Sequence, residues 1–170
     1  MKSADTSGAT SVIEMRNIVI ETIEKGFRGS FTHRDTFDII NGLTHKQALL
    51  KAAEGLFSSW EILFHIDYWQ DLILEAVRTD VMDWRKAIDK HWPSSADEKE
   101  NNWDILVQRF KDGIVDATRL LNEVDLESPM RTLRGEPTLR AFVILAQHNS
   151  YHLGQIVLNR KQNGLWSYRD

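Results

Sequence analysis

The chain has no cysteine among its 170 residues. Disulfides, thiolate metal sites and a cysteine nucleophile are therefore excluded, and any thiol in the chemistry must arrive as a small molecule. Apolar runs are short, and none approaches the roughly 18 residues that a membrane span needs. Lysine and arginine are not concentrated in any segment, so no phosphate-binding surface for nucleic acid is expected. With no membrane span and no nucleic-acid surface expected, the expected partner is a small molecule.

The composition is that of an ordinary globular protein, with 42% hydrophobic and 27% charged residues and a net charge of -4. We predict a flexible N-terminal tail over residues 1–11, because this stretch is rich in Ser, Thr and Ala. The tail lacks the apolar centre of a signal peptide, so a cytoplasmic location is expected. Residues 12–170 are long enough for a single domain with one core.

Apolar residues recur at helical spacing along most of the chain, and no stretch alternates as a strand would. The pattern predicts an all-α fold without a sheet. Capping boxes are expected at Thr44 and Ser58, and Ser95 with Glu98 is expected to cap the third long helix. Four long helices are predicted, over residues 12–27, 58–77, 95–124 and 138–162. A four-helix bundle with a long connection at 79–97 follows.

Histidines supply the candidate chemistry. His148 and His152 lie four residues apart in the last predicted helix, so both project from one face. His65 lies in the second, and inward-facing residues of two bundle helices can meet at one level. Three neutral imidazoles suit a divalent metal and leave coordination positions open. The spacing alone is weak evidence, since an HxxxH pair arises by chance and a core histidine needs no metal.

The other polar residues near these histidines have two interpretations each. Glu61 and Asp67 are candidate helper bases, although Glu61 fits the capping box better. Gln155 is expected either to hydrogen-bond a ligand histidine or to make a helix–helix contact. His33, His45 and His91 fall in predicted loops or helix starts and are expected at the surface. Most of the six tryptophans are expected to anchor the core, with one or two lining a pocket.

Three segments resemble a known family. Trp60 to His65 reads W-E-x-L-x-H, His148 to Val157 reads H-N-S-Y-H-L-G-Q-I-V, and Gly164-Leu165-Trp166 follows. These resemble the second-helix, fourth-helix and C-terminal signatures of the DinB-like superfamily, the damage-inducible four-helix bundles. That family includes bacillithiol S-transferases, mycothiol-dependent maleylpyruvate isomerases and metal-dependent hydrolases. The resemblance extends over most of the chain.

The resemblance implies an up-down-down-up bundle with a long connection between helices two and three. It also implies a metal triad of His65, His148 and His152, with Zn or Ni expected first and Fe or Co as alternatives. The implied activity is thiol S-transfer, isomerisation or hydrolysis on a small molecule, with a low-molecular-weight thiol as a possible co-substrate. The alternative is a non-catalytic, metal-stabilised bundle that acts as a binding or stress-response module. A homodimer is plausible in either case.

Overall fold

The computed structural model of the chain describes residues 6–30 and 33–166. Within these residues the chain is mostly helical, as predicted, and the long helices are α1, α4, α7 and α8. The α-helices are α1 (Thr6–Arg28), α2 (Thr36–Ile40), α3 (His45–Ala48), α4 (Ser59–Thr79), α5 (Trp84–Lys90), α6 (Ser95–Glu100), α7 (Trp103–Glu123) and α8 (Leu139–Gln162).

The four long helices share one core. Helix α4 packs against α8 and α7, and α1 packs against the same two helices. The largest fully buried side chains come from α1, α2, α4, α7 and α8, and include Phe27, Leu63, Phe110 and Phe142. The interface between α4 and α8 is the most extensive one, and it carries all three candidate metal ligands. The up-down-down-up order of helix directions stays a prediction.

The predicted capping boxes at Thr44 and Ser58 are confirmed. The Ser58 side chain accepts from the Glu61 backbone N–H at 3.2 Å, and Glu61 Oε2 accepts from the Ser58 N–H at 2.7 Å. Lys51 donates to the other carboxylate oxygen of Glu61 at 2.8 Å. This cap fixes the start of α4 two turns before His65.

Several predicted boundaries were wrong. Helix α1 begins at Thr6 instead of residue 12. Its later turns are stabilised by packing, and no residue in 6–11 ends the helix before Thr6. Residues 1–5 lie outside the described residues. The helix predicted over 95–124 is two helices. Ser94 with Asp97, not Ser95 with Glu98, caps α6, and the Asn102 side chain caps α7 at 3.1 Å from Ile105 N.

The expectation of no sheet was also wrong in one loop. Strands β1 (Pro129–Met130) and β2 (Glu136–Pro137) pair antiparallel around a short 3-10 turn. Two residues per strand are too few for alternation to show in a sequence. Pro137 lies in β2, two residues before α8 begins at Leu139. The loop anchors the start of α8, since Ser128 O accepts from both the N–H and the hydroxyl of Thr138 at 2.9 Å.

Candidate metal centre

Three histidines converge where α4 meets α8. His65 comes from α4, and His148 and His152 come from one face of α8 because four residues make about one helical turn. The Nε2 atoms of His65 and His148 lie 3.2 Å apart. One ligand atom from each of the three rings lies within 4.8 Å of the other two. The sequence-predicted cluster therefore comes together, and it can hold a metal ion.

Hydrogen bonds determine which nitrogen of His65 and His152 carries the proton. His65 Nδ1 lies 3.0 Å from the backbone oxygen of His91, and His152 Nδ1 lies 2.9 Å from Gln155 Oε1. An oxygen of this kind only accepts, so each Nδ1 must donate. The Nε2 atoms of both rings are left with free lone pairs. Fixing the distal N–H on an oxygen is the usual way that proteins orient a metal-binding imidazole.

Burial keeps these imidazoles neutral. It lowers the pKa of His65 to about 4, with further lowering from His152 and His148 and an opposing effect of the bond to His91. It also lowers the pKa of His148 to about 4, aided by His152. The pKa of His152 is lowered by burial too, against the bond to Gln155. Neutral imidazole is the form that ligates a metal, so the site is ready for one at neutral pH.

The fit to a metal rests on the spacing of the ring nitrogens that face one another and on one unpaired outer nitrogen. The Nδ1 of His148 is buried without a hydrogen-bond partner among the described residues. Buried polar atoms are rarely left without a hydrogen-bond partner. In a tetrahedral Zn–N site with bonds near 2.0 Å, the nitrogens lie roughly 3.3 Å apart. The 3.2 Å between His65 and His148 agrees with that separation. The residues present therefore fit a divalent ion.

Aromatic rings enclose the cluster on the side of α5. Trp92 stacks on His65 with ring centres 4.2 Å apart, and Phe57 stacks on Trp92 at 3.7 Å. Trp69 lies 6.5 Å from His148. Such walls exclude water and strengthen electrostatic interactions inside. The expectation that one or two tryptophans line a pocket is consistent with these contacts.

His91 was wrongly expected at the surface. It is half-buried, its ring lies 5.3 Å from His65 edge to face, and its carbonyl holds the His65 ring. His91 and Trp92 come from the long connection, where the spacing of residues does not predict which of them contact α4. The dense aromatic content of that connection was the one available signal.

His33 and His45 are also half-buried: His33 lies 3.0 Å from Ser150 Oγ, and His45 accepts from Trp103 N.

The two candidate helper bases have other partners. Glu61 caps α4 and pairs with Lys51, as preferred from the sequence. Asp67 is buried, and its Oδ2 lies 2.6 Å from Arg109 Nη2 of α7. Two residues along a helix turn the side chain about 200° away, so Asp67 points away from the His65 face. Gln155 contacts the cluster directly, by accepting from His152.

Comparison with known families adds an independent result. A model of the DinB superfamily matches residues 30–156, most of the chain and all three histidines. The chain belongs to the DinB superfamily. No curated protein and no solved structure matches it. Across the part of the chain that the structure describes, this superfamily member has no helix of the length and apolarity that crossing a bilayer requires.

Proposed function

We propose that His65, His148 and His152 bind a divalent metal ion and that this DinB-superfamily protein is a metal-dependent enzyme acting on small molecules. The observation that carries the proposal is the convergence of three neutral imidazoles from two helices, with two Nδ1–H groups fixed on oxygen acceptors. Zn or Ni is proposed first, with Fe or Co as alternatives, because imidazole suits each of them.

The proposed chemistry is S-transfer or isomerisation with a low-molecular-weight thiol, or hydrolysis. A metal ion held by three imidazoles supplies Lewis acidity that lowers the pKa of a bound thiol or water. The chain has no cysteine of its own, so the thiol is a co-substrate. Its own residues orient the imidazoles through His91 and Gln155 and exclude water with Trp92 and Trp69.

Metal content is the first test. The protein is purified without a histidine tag and its metals are measured by elemental analysis, beside a His148→Ala, His152→Ala double variant and a His33→Ala control. We expect about one divalent ion per wild-type and His33→Ala chain and less than about 0.1 in the double variant. Equal metal in all three proteins, or none in the wild type after growth and refolding with Zn²⁺ and Ni²⁺, would overturn the site.

Turnover is the second test. The metal-loaded protein is assayed with 1-chloro-2,4-dinitrobenzene and a panel of low-molecular-weight thiols, and with p-nitrophenyl acetate for hydrolysis. Turnover that the double variant loses supports the enzyme. Stoichiometric metal without turnover, together with a melting temperature that falls on chelation, supports the non-catalytic metal-stabilised module.

The up-down-down-up helix order, the cytoplasmic location and a homodimer belong to the same proposal. All three are expected from the resemblance to DinB-like bundles. Small-angle scattering and light scattering of the purified protein test the shape and the number of chains.

A further inference from the structure

A groove lies between residues 80–84, the loop from β1 to β2 and the first turns of α8. Its volume is about 1090 Å³, and its lining is mostly apolar, with Met82, Trp84, Leu133 and Ile144. Trp84 and Ile144 are exposed although both are large and apolar. A concave apolar surface of this size is large enough for a small organic molecule.

Three arginines also line this groove, and they differ in their partners. Arg131 pairs with Asp80 at 3.0 Å, and Arg140 pairs with Glu136 at 3.1 Å. The Asp80 carboxylate is fully used, because it accepts from the N–H groups of both Arg131 and Thr132 and from both side chains. Arg134 has no carboxylate partner within the described residues, so the groove has one uncompensated positive charge.

The backbone holds Arg134 in an unusual conformation. Its φ is 58°, in the left-handed region that residues with a side chain rarely adopt. The N–H of Arg134 closes the 3-10 turn on Arg131 O at 3.0 Å. The Asp80 bonds fix the same turn from the other side. The turn therefore has a fixed backbone, and an unpaired guanidinium at an apolar groove is complementary to an amphipathic anion.

Two aromatic contacts and one face of α8 connect the groove to the histidine cluster. Ile144 precedes His148 by one turn on the same face of α8. Trp84 lies 6.1 Å from Trp69, which lies 6.5 Å from His148. Trp84 at the groove is therefore linked to His148 through a single intervening ring, Trp69.

We propose that the groove binds a small organic anion, with its apolar body on Trp84 and Ile144 and its carboxylate on Arg134. Its role as the substrate subsite of the histidine site rests on the proposed function. The anion binding itself does not require the metal. The substrate class is then an aromatic or aliphatic carboxylate whose reactive group lies away from the acid.

Calorimetric titration tests the groove with two probes of equal shape, naphthalene-1-acetate and naphthalene-1-acetamide. We expect the acid to bind at least about fivefold tighter than the amide, because only the acid forms a charge-assisted bond with Arg134. Arg134→Gln removes the preference, whereas Arg134→Lys keeps much of it. Lys99→Gln, which removes an exposed charge elsewhere, changes nothing. Equal binding of acid and amide, or a preference that survives Arg134→Gln, would overturn the groove.

The His148→Ala, His152→Ala variant separates the two proposals. The acid preference is expected to persist in that variant, because the groove does not include either histidine. If the wild-type protein prefers the acid but binds no metal, the groove proposal stands and the proposed function is wrong. A protein that binds metal without preferring the acid loses the groove alone.

A second, independent inference comes from the buried amides next to His148. Gln70 Nε2 donates to the backbone oxygen of Phe110 at 3.1 Å, and Asn149 Nδ2 donates to Gln70 Oε1 at 3.1 Å. The Phe110 oxygen can only accept, so it fixes the orientation of both amides in turn. Asn149 Oδ1 is thereby left as a buried acceptor without a donor among the described residues.

Without a metal, His148 cannot supply that donor. His65 Nδ1 donates to His91, so His65 Nε2 is an acceptor and His148 Nε2 must donate across the 3.2 Å between them. The His148 Nδ1 then has a lone pair, and both it and Asn149 Oδ1 are buried acceptors without partners. His148 and Asn149 are neighbours in α8, so the two unpaired acceptors belong to adjacent side chains.

We infer that Asn149 and Gln70 are positioning residues for His148, and that metal binding moves the His148 proton from Nε2 to Nδ1. The Nε2 lone pair becomes available to the ion, and the new Nδ1–H turns to Asn149 Oδ1. The proton stays on the ring, so the step is balanced. This inference rests on the proposed metal site.

Histidine ¹⁵N shifts of the wild-type protein test the proton transfer without any substitution. We expect the Nε2–H tautomer of His148 after chelation and the Nδ1–H tautomer with Zn²⁺. The same tautomer in both states of a protein that does bind Zn²⁺ would overturn the inference and leave the metal site intact.

Gly113 offers a remote test of the positioning role. A Cβ at Gly113 would lie 2.0 Å from Gln70 Nε2, whereas a Cβ at Gly154 meets nothing within 4 Å. Gly113→Ala should displace Gln70 and weaken Zn²⁺ binding by about tenfold, the usual loss when support of a ligand is removed. Gly154→Ala is the matched control. A purely structural role predicts lower stability in Gly113→Ala with an unchanged Zn²⁺ affinity and tautomer, and that result would contradict the inference.

Discussion

Two polar clusters lie buried between α4 and α8, and they differ in how their polar atoms are satisfied. Near the start of α4, Ser59 Oγ donates to Asn159 Oδ1 at 2.9 Å, and Asn159 Nδ2 donates to the oxygens of Leu50 and Phe57. Further along, the three histidines point nitrogens at one another, and His148 Nδ1 has no partner in the described part of the chain. The protein satisfies the first cluster by itself.

This difference separates a structural polar cluster from one that is built for a ligand. Burying a polar group costs free energy unless a hydrogen bond replaces its water. At Asn159 the chain provides every partner, so the cluster fixes the packing of α8. At the histidines the chain orients the outer nitrogens of His65 and His152, and the inner nitrogens face one another where the proposed cation would bind. Substitutions at the two clusters should therefore affect different measurements.

The largest effect is expected for His65→Leu. Removing one of three ligands should weaken Zn²⁺ binding by roughly a thousandfold, or ~4 kcal/mol. The stability of the metal-free protein should change by less than about 1.5 kcal/mol, because the gain from burying an apolar side chain offsets the loss of two hydrogen bonds, to His91 O and His148 Nε2. Chelator competition and urea unfolding in EDTA measure the two quantities. A large loss of metal-free stability would mean that His65 is an ordinary core residue.

Asn159→Leu should give the opposite result. The substitution leaves the Ser59 hydroxyl and two backbone oxygens without their partner, which should lower the free energy of unfolding by about 3 kcal/mol. The Zn²⁺ affinity should stay within about twofold of the wild type, since the Asn159 side chain bonds Ser59 and Leu50 and lies about two helical turns from His152. Asn122→Ala, at an exposed amide, is the control for stability and should have little effect. Loss of metal binding in Asn159→Leu would show that the two clusters are coupled.

Gln155→Leu tests the orientation of one ligand. Without the oxygen that holds His152 Nδ1–H, the Zn²⁺ affinity should fall by about tenfold, or ~1.4 kcal/mol. Stability should hardly change, because Gln155 is only partly buried. Gln162→Leu, on the same helix, is the matched control. An unchanged affinity in Gln155→Leu would assign this side chain to helix packing instead.

The sequence predicted the helices and ligands for identifiable reasons. Helical spacing, the capping box at Ser58 and the stop after Gln162 depend on neighbouring residues, so α4 and α8 could be predicted within two residues at each end. His65, His148 and His152 followed from those helices and from the family signature. The supporting residues His91 and Trp92 did not, because their contacts with α4 arise from tertiary packing of the connection. The Gln70–Asn149 pair was likewise invisible, since neither residue has a local signal.

The smallest effect concerns the pH dependence of the metal-free protein. The ordinary histidine pKa is about 6.5, and burial lowers the pKa of His148 to about 4 in the folded chain. Between these values the unfolded state binds more protons, so stability is highest above pH 6.5 and falls as the pH decreases towards 4.

His148→Leu should remove about 1 kcal/mol of the loss between pH 6.5 and 5.5. Asn159→Leu should keep the wild-type slope despite its lower stability. Urea unfolding in EDTA at several pH values measures both. Parallel curves for His148→Leu and the wild type would mean that His148 is not held neutral by burial, and the contrast between the two clusters would then lose its electrostatic basis.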